Sequence, residues 1–427
     1  MGVGEGDGRG NGNGFAQSTN KTTTMQVNNK QSSPEMAPKS TEKATEPITI
    51  AKFDDLGLKE DLLRGIYSYG YENPSEIQQK AIIPILQGRD VIAQAQSGTG
   101  KTAAFSISAL QQTVTSDKFC QTIVLSPTRE LATQSALVAE QLSTHMKDIR
   151  IHACIGGTSK RESAEELRRG CHIVVGTPGR ITDMIRSNLL KATGVKLLII
   201  DEADEMLSLG FLDQMREVIG LLPQNTQIAL FSATLPPEAL EVTSNFMRDP
   251  LRILVNKEEL TLRGLKQYFI ALSDSSQKFA TVTDVYGAMS VGQTVIFCNT
   301  RREADDLANY MTEQDFTVSV LHSALSHDER TATMAAFRTG SSRVLIASNV
   351  IARGIDVQQV SLVINFSMCP DVSTYIHRVG RSARFGRKGI AINLITPRDV
   401  SLIRSIETYY ATQIDELPAF EKLHELM

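Results

Sequence analysis

Short apolar runs recur along the chain from about residue 50 and alternate with helical stretches. They form two series, which occupy residues 91–93, 122–125, 172–175, 197–200 and 227–231, and then residues 294–297, 318–321, 343–346, 362–365 and 390–393. Runs without polar alternation are typical of strands buried on both faces of a sheet. Because strands and helices alternate, the pattern predicts an α/β fold with parallel, doubly wound sheets.

The two series predict two α/β domains of similar size in tandem. We expect a disordered tail over residues 1–48, where Gly, Asn, Ser, Thr and Lys dominate and apolar residues are too few to offset the entropy of ordering. The first domain is expected at 49–253 and the second at 266–427. The polar residues at 256–259 indicate a linker that spans 254–265.

Composition narrows the class of protein. The chain has 427 residues and a net charge of −4, so any attraction to nucleic acid has to come from a local basic patch. Apolar runs fall short of the roughly 18 residues that a membrane helix needs, and the N-terminus lacks the apolar core of a signal peptide. Five scattered cysteines form no CxxC pair, which argues against a metal or disulfide framework and favours a reducing compartment.

The segment 95–102 has the arrangement of a phosphate-binding loop. It follows the first apolar run, precedes a helical stretch and consists of Ala95, Gln96, Ser97, Gly98, Thr99, Gly100, Lys101 and Thr102. Glycines let the backbone approach phosphate oxygens, which the N–H groups at a helix start attract. We expect Lys101 to reach the terminal phosphates of ATP and the Thr102 hydroxyl to ligate Mg²⁺. The usual pattern begins with Gly rather than Ala95, and an ordinary Gly-Ser-Thr loop is the alternative interpretation.

Carboxylates directly follow the fourth apolar run of the first series. Asp201, at the end of a buried strand, is expected to hold Mg²⁺ beside the phosphate loop, and Glu202 is expected to orient the attacking water. A charged surface turn is the alternative. After the fifth run, the hydroxyls of Ser232 and Thr234 are placed to bond Asp201 or Asp204, although hydroxyls at strand ends commonly cap turns.

These stretches make the chain similar to a DEAD-box RNA helicase, and most similar to the subfamily of eukaryotic initiation factor four-A. The resemblance covers nearly all of residues 53 to 427. The resemblance rests on residues 63–67 (Leu-Arg-Gly-Ile-Tyr), the phosphate loop, residues 201–207 (Asp-Glu-Ala-Asp-Glu-Met-Leu) and residues 264–267 (Gly-Leu-Lys-Gln). The resemblance implies two tandem RecA-like domains that bind ATP and RNA across the gap between them.

The resemblance also implies an adenine site and a nucleotide site on the second domain. Phe53 is expected to stack on the adenine ring, although a core aromatic is the alternative for this residue taken alone. Gln78 carries both a donor and an acceptor, which the adenine edge requires. Gly354 and Asp356, in the family's coupling motif, are expected to lie near the nucleotide.

A basic run follows His377 in the second domain. Arg378, Arg381, Arg384 and Arg387 recur every three residues, so on a helix they would lie near one face, and a solvated basic face is one interpretation. The resemblance implies instead that Arg381 and Arg384 are arginine fingers that reach the γ-phosphate. It assigns His377 to coupling, together with the two hydroxyls after the fifth run.

The resemblance further implies a set of RNA contacts. Hydroxyls, glycine N–H groups and arginines suit binding of the sugar-phosphate backbone without reading bases, so we expect little sequence preference. Each motif taken singly is equally consistent with a turn. The expected contacts are Pro127, Thr128, Arg129, Gly156, Gly157, Thr177, Pro178, Gly179, Arg180, Thr300 and Arg301.

The second domain departs from the family's pattern at several positions. Ser348-Asn349 stands where Thr-Asp is usual, and residues 322–324 read His-Ser-Ala where the family has His-Gly-Asp. His327 replaces a common Gln, and Ala383 replaces a Gly. Because carboxylates are lost at Ala324 and Asn349, we hypothesise that ATP binding is ordinary but that coupling to RNA or release is altered.

The favoured function is an ATP-dependent RNA helicase that opens short duplexes in translation initiation. The alternatives are an ATP-gated RNA clamp of the exon junction complex type in nuclear mRNA processing, and a metabolic P-loop kinase, against which the duplicated domain and the distal arginines argue. The expected cofactors are ATP and Mg²⁺. We expect RNA and a helical-repeat scaffold protein as partners, a monomer without membrane association, and a cytoplasmic location with a nuclear one possible.

Overall fold

The computed structural model of the protein describes residues 1–2, 50–96, 98–208, 210–235, 237–254, 264–289, 292–348, 360–382 and 389–418. Apart from its first two residues, the predicted tail lies outside these ranges. We call residues 50–254 the first lobe and residues 264–418 the second lobe. Each lobe contains one seven-stranded sheet in which every recorded strand pairing is parallel.

The first sheet has the order β3-β4-β2-β5-β6-β1-β7. Its strands are β1 (Val91–Gln94), β2 (Thr122–Leu125), β3 (Ile151–Cys154), β4 (Ile173–Gly176), β5 (Leu197–Ile200), β6 (Gln227–Ser232) and β7 (Leu251–Leu254). The helices of this lobe are α1 (Glu60–Ser68), α2 (Glu76–Leu86), α3 (Lys101–Gln112), α4 (Arg129–Leu142), α5 (Lys160–Arg168), α6 (Pro178–Arg186), α7 (Ala203–Ser208), α8 (Leu212–Leu221) and α9 (Pro237–Ser244).

The second sheet repeats the plan with the order β10-β11-β9-β12-β13-β8-β14. Its strands are β8 (Leu265–Ala271), β9 (Gln293–Cys298), β10 (Val318–Leu321), β11 (Val344–Ser348), β12 (Val360–Asn365), β13 (Gly389–Ile395) and β14 (Asp415–Glu416). Its helices are α10 (Lys278–Ala288), α11 (Arg301–Thr312), α12 (His327–Arg338), α13 (Val372–Val379) and α14 (Val400–Tyr410).

Both faces of each sheet are buried, which confirms the predicted doubly wound α/β architecture. In β5, Leu197 and Ile199 pack into one apolar cluster, whereas Leu198 and Ile200 pack into the cluster on the opposite face. The strand β9 divides its side chains between two clusters in the same way. Helices on both faces therefore exclude water, and continuous apolar runs are the pattern that such burial requires.

The structure adds four strands that the apolar pattern does not predict. These are β3, β7, β8 and β14, which lie at or next to sheet edges. The side chains of β3 and β8 are mostly only half-buried, so these strands tolerate polar residues such as His152 and Gln267. The linker predicted at 254–265 stays a prediction, and Leu254 at the end of β7 and Leu265 at the start of β8 lie at its two ends.

The predicted sites follow from these sheets, because the carboxyl ends of parallel strands meet at one edge. The strands β1, β6 and β5 are neighbours, and each leads directly into a predicted site segment. Within the described residues, no helix has the length and apolar character that crossing a membrane requires.

Candidate functional site

The predicted phosphate loop connects β1 to α3. Gly98 and Gly100 have φ values of 83° and 98°, a left-handed conformation that a residue with a Cβ adopts only at a cost. α3 begins at Lys101 without a side-chain cap, so backbone N–H groups at its start remain for an anionic ligand. Ser97 lies outside the described residues.

Side chains of the loop bond its own backbone. The buried Lys101 ammonium donates to the Ala95 carbonyl at 3.0 Å, and the Thr99 hydroxyl donates to the Gln96 carbonyl at 2.7 Å. The Ala95 N–H donates to the carbonyl of Ser232 at the end of β6. Ala95 is buried, so the missing first glycine is accommodated, and Thr102 is half-buried in the first turn of α3.

The two predicted adenine residues lie in different surroundings. Gln78 is buried, accepts from the Ser75 N–H at 2.8 Å and donates to the Gly100 carbonyl at 3.3 Å, so its amide ties α2 to the phosphate loop. Phe53 is fully buried in the first-lobe core, with its ring centroid 6.4 Å from that of Tyr71. Phe53 is therefore a core aromatic in this structure, and its stacking on adenine stays a prediction.

Two buried carboxylates stand opposite the phosphate loop. Asp201 and Glu202 follow β5 and are 3 % and 8 % exposed, so a charged surface turn is the wrong interpretation. The Lys101 ammonium lies 3.7 Å from Glu202 Oε2, and this oxygen accepts no hydrogen bond within the described part of the chain. Glu202 has a φ of 47°, a strained conformation for a residue with a side chain. The turn thus holds an acceptor in place beside the predicted phosphate site.

The buried charges shift the pKa values of these carboxyl groups in opposite directions. Burial, and then the charge of Glu202, raise the pKa of Asp201 to about 7. Burial also opposes ionisation of Glu202, but the charges of Lys101 and His377 outweigh it and lower the pKa of Glu202. Perturbed carboxyl groups facing a phosphate loop mark a candidate catalytic centre.

Asp204 joins the two lobes. Its Oδ2 lies 2.8 Å from His377 Nε2, on α13 of the second lobe, and both side chains are almost fully buried. The Thr234 hydroxyl donates to the same carboxylate, which confirms one of the predicted hydroxyl contacts, and it also lies 2.9 Å from the Ser373 hydroxyl across the gap. Ser232 Oγ accepts from the Asp204 N–H at 3.2 Å.

Burial alone would raise the pKa of the Asp204 carboxyl. The charge of His377, with hydrogen bonds from His377 and Thr234, outweighs that effect and holds the pKa well below the ordinary value. Asp204 is therefore an anion in the neutral pH range, and its contact with His377 links the lobes by a charge-assisted bond.

Within the described residues, the basic run does not continue the helix on which Arg378 lies. α13 ends at Val379, and Gly380 provides the C-cap. Arg381 is 4 % exposed and donates from Nε to the carbonyl of His377 at 2.9 Å, so the solvated-face interpretation is wrong for this residue. Arg384 and Arg387 lie outside the described residues.

Arg378 is the largest fully buried side chain in the described structure. Its guanidinium donates to Asn365 Oδ1 at 3.0 Å, to the Ser367 carbonyl at 2.6 Å and to Asn299 Oδ1 at 2.6 Å. It also lies 5.5 Å from the ring centroid of Phe297, and burial lowers its pKa to about 10. This arginine fastens α13 to β9 and β12 rather than facing solvent.

The predicted RNA residues of the first lobe lie at helix starts and turns. A Cβ on Gly156 would lie 3.2 Å from the Arg129 guanidinium, so these two predicted contacts are neighbours. Arg180 donates to the Thr158 carbonyl at 3.1 Å, and Thr128 Oγ1 accepts from the Leu131 N–H. The remaining predicted contacts are the buried Pro127 and Pro178, the half-buried Thr177, and the exposed Gly157 and Gly179.

In the second lobe, Thr300 caps α11 by accepting from the Glu303 N–H, and Arg301 is exposed in its first turn. Ala324 is exposed, and the neighbouring His322 Nε2 lies 2.9 Å from Asp305 Oδ1. Several predicted positions lie outside the described residues, namely Gly354, Asp356, Asn349 and Ala383.

The donor set beside the loop fits a magnesium ion. Mg²⁺ prefers hard oxygen ligands, and the buried Asp201 carboxylate and the Thr102 hydroxyl provide them. Burial, and then the charge of Glu202, raise the pKa of Asp201, and a divalent cation beside it would favour its ionised form. Glu202, Asp204 and His377 also place ligand atoms within 4.8 Å of one another, but the imidazole of His377 is a poor ligand for Mg²⁺ and is bonded to Asp204.

Sequence patterns miss two contacts between the lobes. Arg330 on α12 donates to Glu130 on α4 at 2.9 Å, with side-chain exposures of 14 % and 20 %. Ser373 contacts Thr234, as described above. Glu130 directly follows the predicted RNA contacts Pro127, Thr128 and Arg129, which is the one signal that could have drawn attention to it, whereas nothing in the local sequence singles out Ser373.

Two family models match the chain. The model described as DEAD/DEAH box helicase matches residues 75–242, and the model described as helicase conserved C-terminal domain matches residues 277–386. Together they cover most of both lobes, and they include β1 to β6 in the first lobe and β9 to β12 in the second.

Curated relatives match almost the whole chain. "Eukaryotic initiation factor 4A" of Drosophila melanogaster is 56 % identical over 367 residues, which are 86 % of this chain and 91 % of the relative. "ATP-dependent RNA helicase eIF4A" of Pyricularia oryzae is 55 % identical over 370 residues, or 87 % and 93 % of the two chains. Among solved structures, S. cerevisiae Dbp5 bound to RNA and ADP BeF3 is 34 % identical, with a TM-score of 0.82 over 87 % of this chain and 96 % of that one.

Proposed function

This chain belongs to the DEAD/DEAH box helicase family, and from that premise we propose that it opens short RNA duplexes in translation initiation. It is an ATP-dependent RNA helicase with tandem RecA-like lobes. The observation that carries the proposal is that residues of both lobes meet at one buried centre. There, Lys101 faces Glu202 on the first lobe, and His377 of the second lobe contacts Asp204.

In the proposed mechanism, ATP is the substrate and its phosphates lie against the start of α3. Lys101 exchanges its contact with the Ala95 carbonyl for the terminal phosphates, since both lie at the same loop. Glu202 orients the attacking water through its unshared oxygen. Arg381 and Arg384 stabilise the negative charge that develops on the transferred phosphoryl group, an effect worth about 10³ to 10⁵ in rate.

Thr102 and Asp201 are proposed to hold Mg²⁺. When bound, this ion neutralises charge on the phosphate oxygens. The protein's own contribution is to bury Asp201 and anchor its Oδ1 by the N–H of Glu202 at 3.0 Å, which orients the carboxylate before the ion arrives.

The rest of the nucleotide site is proposed from the resemblance. Gln78 would read the adenine edge, and Phe53 would have to emerge from the core to stack on the ring. Gly354 and Asp356 would lie near the nucleotide from the second lobe. The backbone of the phosphate loop would enclose the phosphates through Ala95, Gln96, Ser97, Gly98, Thr99 and Gly100.

We propose that RNA binding and ATP binding favour the same closed arrangement. Ser232, Thr234 and His377 would couple the two events, because Thr234 and His377 both contact Asp204 and thus report on the distance between the lobes. Backbone contacts with RNA would come from Pro127, Thr128, Arg129, Gly156, Gly157, Thr177, Pro178, Gly179, Arg180, Thr300 and Arg301. Such contacts make binding independent of base sequence.

The names of the curated relatives support a cytoplasmic translation factor, which we propose here, and do not favour the clamp of the exon junction complex type. S. cerevisiae Dbp5, with its bound RNA and nucleotide mimic, supports RNA as the partner. A helical-repeat scaffold as a second partner and a monomeric state are further parts of the proposal. The domain boundaries predicted at 48/49, 253/254 and 265/266 are also part of the proposal.

The proposal is tested by ATP turnover with and without RNA, together with displacement of a short duplex strand. We expect RNA to stimulate turnover in the wild type and Glu202→Gln to abolish both activities while nucleotide still binds. Lys101→Ala should weaken nucleotide binding itself. Glu60→Gln, at an exposed carboxylate on α1, is the matched control and should behave as wild type. Turnover that ignores RNA would contradict the helicase function.

The departures in the second lobe are tested separately. If the lost carboxylates alter coupling, then Ala324→Asp combined with Asn349→Asp should change the ratio of strand displacement to ATP turnover while leaving nucleotide affinity unchanged. An unchanged ratio would show that these positions have no part in coupling.

A further inference from the structure

A cavity of about 600 Å³ lies between the lobes, and we propose that it binds a small amphiphilic anion, that is, an apolar body carrying one acidic group. Its volume falls within the roughly 300–1,000 Å³ typical of sites for drug-sized ligands. None of the predicted nucleotide residues is among those that line it. The cavity is therefore a different site from the phosphate loop.

Both lobes build its walls. On the first lobe, α4 contributes Glu130 and Leu137, and on the second lobe α12 contributes Arg330 and Met334. Two buried residues that follow or end strands, Ile155 after β3 and Leu321 of β10, add apolar surface. The Glu130–Arg330 ion pair closes the gap between the two helices at this point.

The apolar lining suits a hydrophobic ligand body. Leu137 is 50 % exposed although it lies on a helix that packs against the first-lobe core. It faces the cavity together with the partly buried Val138 and the buried Met334. Covering such surface with an apolar ligand removes it from water, which favours binding.

The charges of the lining favour an anion. Three arginines, Arg129, Arg330 and Arg338, face one carboxylate, Glu130, which Arg330 already neutralises. Within the part of the chain that the structure describes, Arg129 and Arg338 have no ion-pair partner. Arg129 is also a proposed RNA contact, so in the RNA-bound protein the guanidinium that remains for a carboxylate, sulfonate or phosphate group in the cavity is that of Arg338.

Because the walls come from two lobes, the ligand would bind most tightly when the lobes are together. Its apparent affinity should then scale with the closed fraction of the protein. This dependence rests on the proposed closure by ATP and RNA, whereas the cavity itself does not. By reciprocity, an occupant would favour the closed arrangement and slow product release.

The probe for this site is 8-anilinonaphthalene-1-sulfonate, which combines an aromatic body with one sulfonate and fluoresces when bound. The full chain is titrated alone and with an RNA oligonucleotide plus ADP and beryllium fluoride, which keep the nucleotide site occupied. We expect one saturable site whose affinity is about tenfold higher in the presence of RNA and nucleotide mimic.

Leu137→Glu places a negative charge, of the same sign as the sulfonate of the probe, inside the cavity and should weaken probe binding by about tenfold or more. Leu221→Glu is the matched control, since Leu221 is also an exposed helical leucine (38 %) but lies outside the lining, and it should bind as wild type. Arg338→Ala should lower the affinity for the probe less than Leu137→Glu does, because it removes one positive charge without adding a negative one.

Two results would overturn the proposal. They are probe binding that Leu137→Glu leaves unchanged and probe binding that RNA displaces. A site that Leu137→Glu weakens but whose affinity does not respond to RNA and nucleotide mimic would support the cavity and contradict only its dependence on closure. The ATP turnover of every variant is measured without the probe. A failure of the helicase function would appear there, and a failure of the cavity would appear only in the titration.

Discussion

The contact between His377 and Asp204 joins the lobes, so His377→Ala should weaken their closed arrangement. In the structure the two side chains are 2.8 Å apart and almost fully buried. Without the imidazole, the Asp204 carboxylate keeps the hydroxyl of Thr234 but loses its charged partner. An anion that remains buried with too few partners is costly, and this cost falls on the closed state alone.

The magnitude follows from the burial and the partners. Removing one member of a buried pair costs about 3–5 kcal/mol, and a single hydrogen bond to a charged group about 1.5–3 kcal/mol. Because Thr234 still bonds Asp204, we take about 3 kcal/mol, which is about 150-fold in the closure equilibrium. Ser373→Ala is the graded comparison. It removes a neutral hydroxyl contact of 2.9 Å across the same gap, worth about 1 kcal/mol or roughly fivefold.

The assay is the affinity for a fluorescent RNA oligonucleotide in the presence of ADP and beryllium fluoride, with RNA-stimulated ATP turnover measured alongside. The loss should be small for Ser373→Ala and large for His377→Ala. Thermal unfolding should change little, since neither residue bonds the interior of its own lobe through the deleted group. In the wild type the pKa of Asp204 is depressed mainly by His377, so the carboxyl stays ionised in the neutral range. His377→Ala removes that cause and leaves burial to raise the pKa of Asp204, so the loss should shrink as the pH falls and the carboxyl of the variant takes up a proton.

Two outcomes would refute this reasoning. The first is a loss below about threefold for His377→Ala, which would mean that the contact does not bear on closure. The second is a double-mutant cycle with Asp204→Asn in which the two losses simply add. Residues in direct contact should show an interaction energy of about 0.5–3 kcal/mol.

Three further predictions concern stability and reactivity. Gly65→Ala should destabilise the protein by about 2–4 kcal/mol in urea unfolding, because its Cβ would lie 1.9 Å from a backbone carbonyl oxygen of α4, whereas Gly220→Ala, at an open helical position, should stabilise it by up to about 1 kcal/mol. Arg378→Met should lower the free energy of unfolding by about 2–4 kcal/mol in urea, because it leaves three buried acceptors without a donor. Arg378→Lys should recover part of that loss, and equal stability of the wild type and the Met variant would contradict the buried network. All five cysteines are buried, and burial raises the pKa of Cys154 and Cys369 to about 11, so at pH 8 a thiol reagent should modify the protein only after denaturant is added.

The central strands of both sheets could be predicted because strands that are buried on both faces appear in the sequence as continuous apolar runs. The runs at 122–125 and 197–200 coincide with β2 and β5, whose side chains are buried on both faces. The edge strand β10 coincides with the predicted run at 318–321, but the edge strands β3, β7 and β14, and β8 beside β14, do not coincide with any predicted run. In β8, Lys266 and Gln267 interrupt the apolar pattern. The amide of Gln267 accepts a hydrogen bond from the Tyr375 hydroxyl and donates one to the Thr412 hydroxyl. Its polar character serves tertiary contacts that periodicity does not reveal.

Arg378, the first arginine of the basic run, shows how a regular spacing can lead to a wrong prediction. A repeat of three residues predicts one helical face, but α13 ends at Val379 and Arg378 turns inward. What decides its direction is a set of acceptors at the end of β12 and in the turns that follow β9 and β12, which lie 11 to 79 residues away along the chain. Such acceptors become neighbours only when the sheet assembles, so a local pattern cannot distinguish a buried arginine from a solvated one.

The contacts of the candidate site also differ in whether the sequence could predict them. The bond between Thr234 and Asp204 could be predicted, since the two residues follow β6 and β5, which are paired in the sheet and end at one edge. The partner of Asp204 on the other side, His377, is 173 residues away and belongs to the second lobe. Strand register places the first contact, but only the approach of two separately folded lobes places the second. Whatever controls that approach therefore controls the proposed catalytic centre, because Glu202 and Lys101 lie on one lobe and Arg381 on the other.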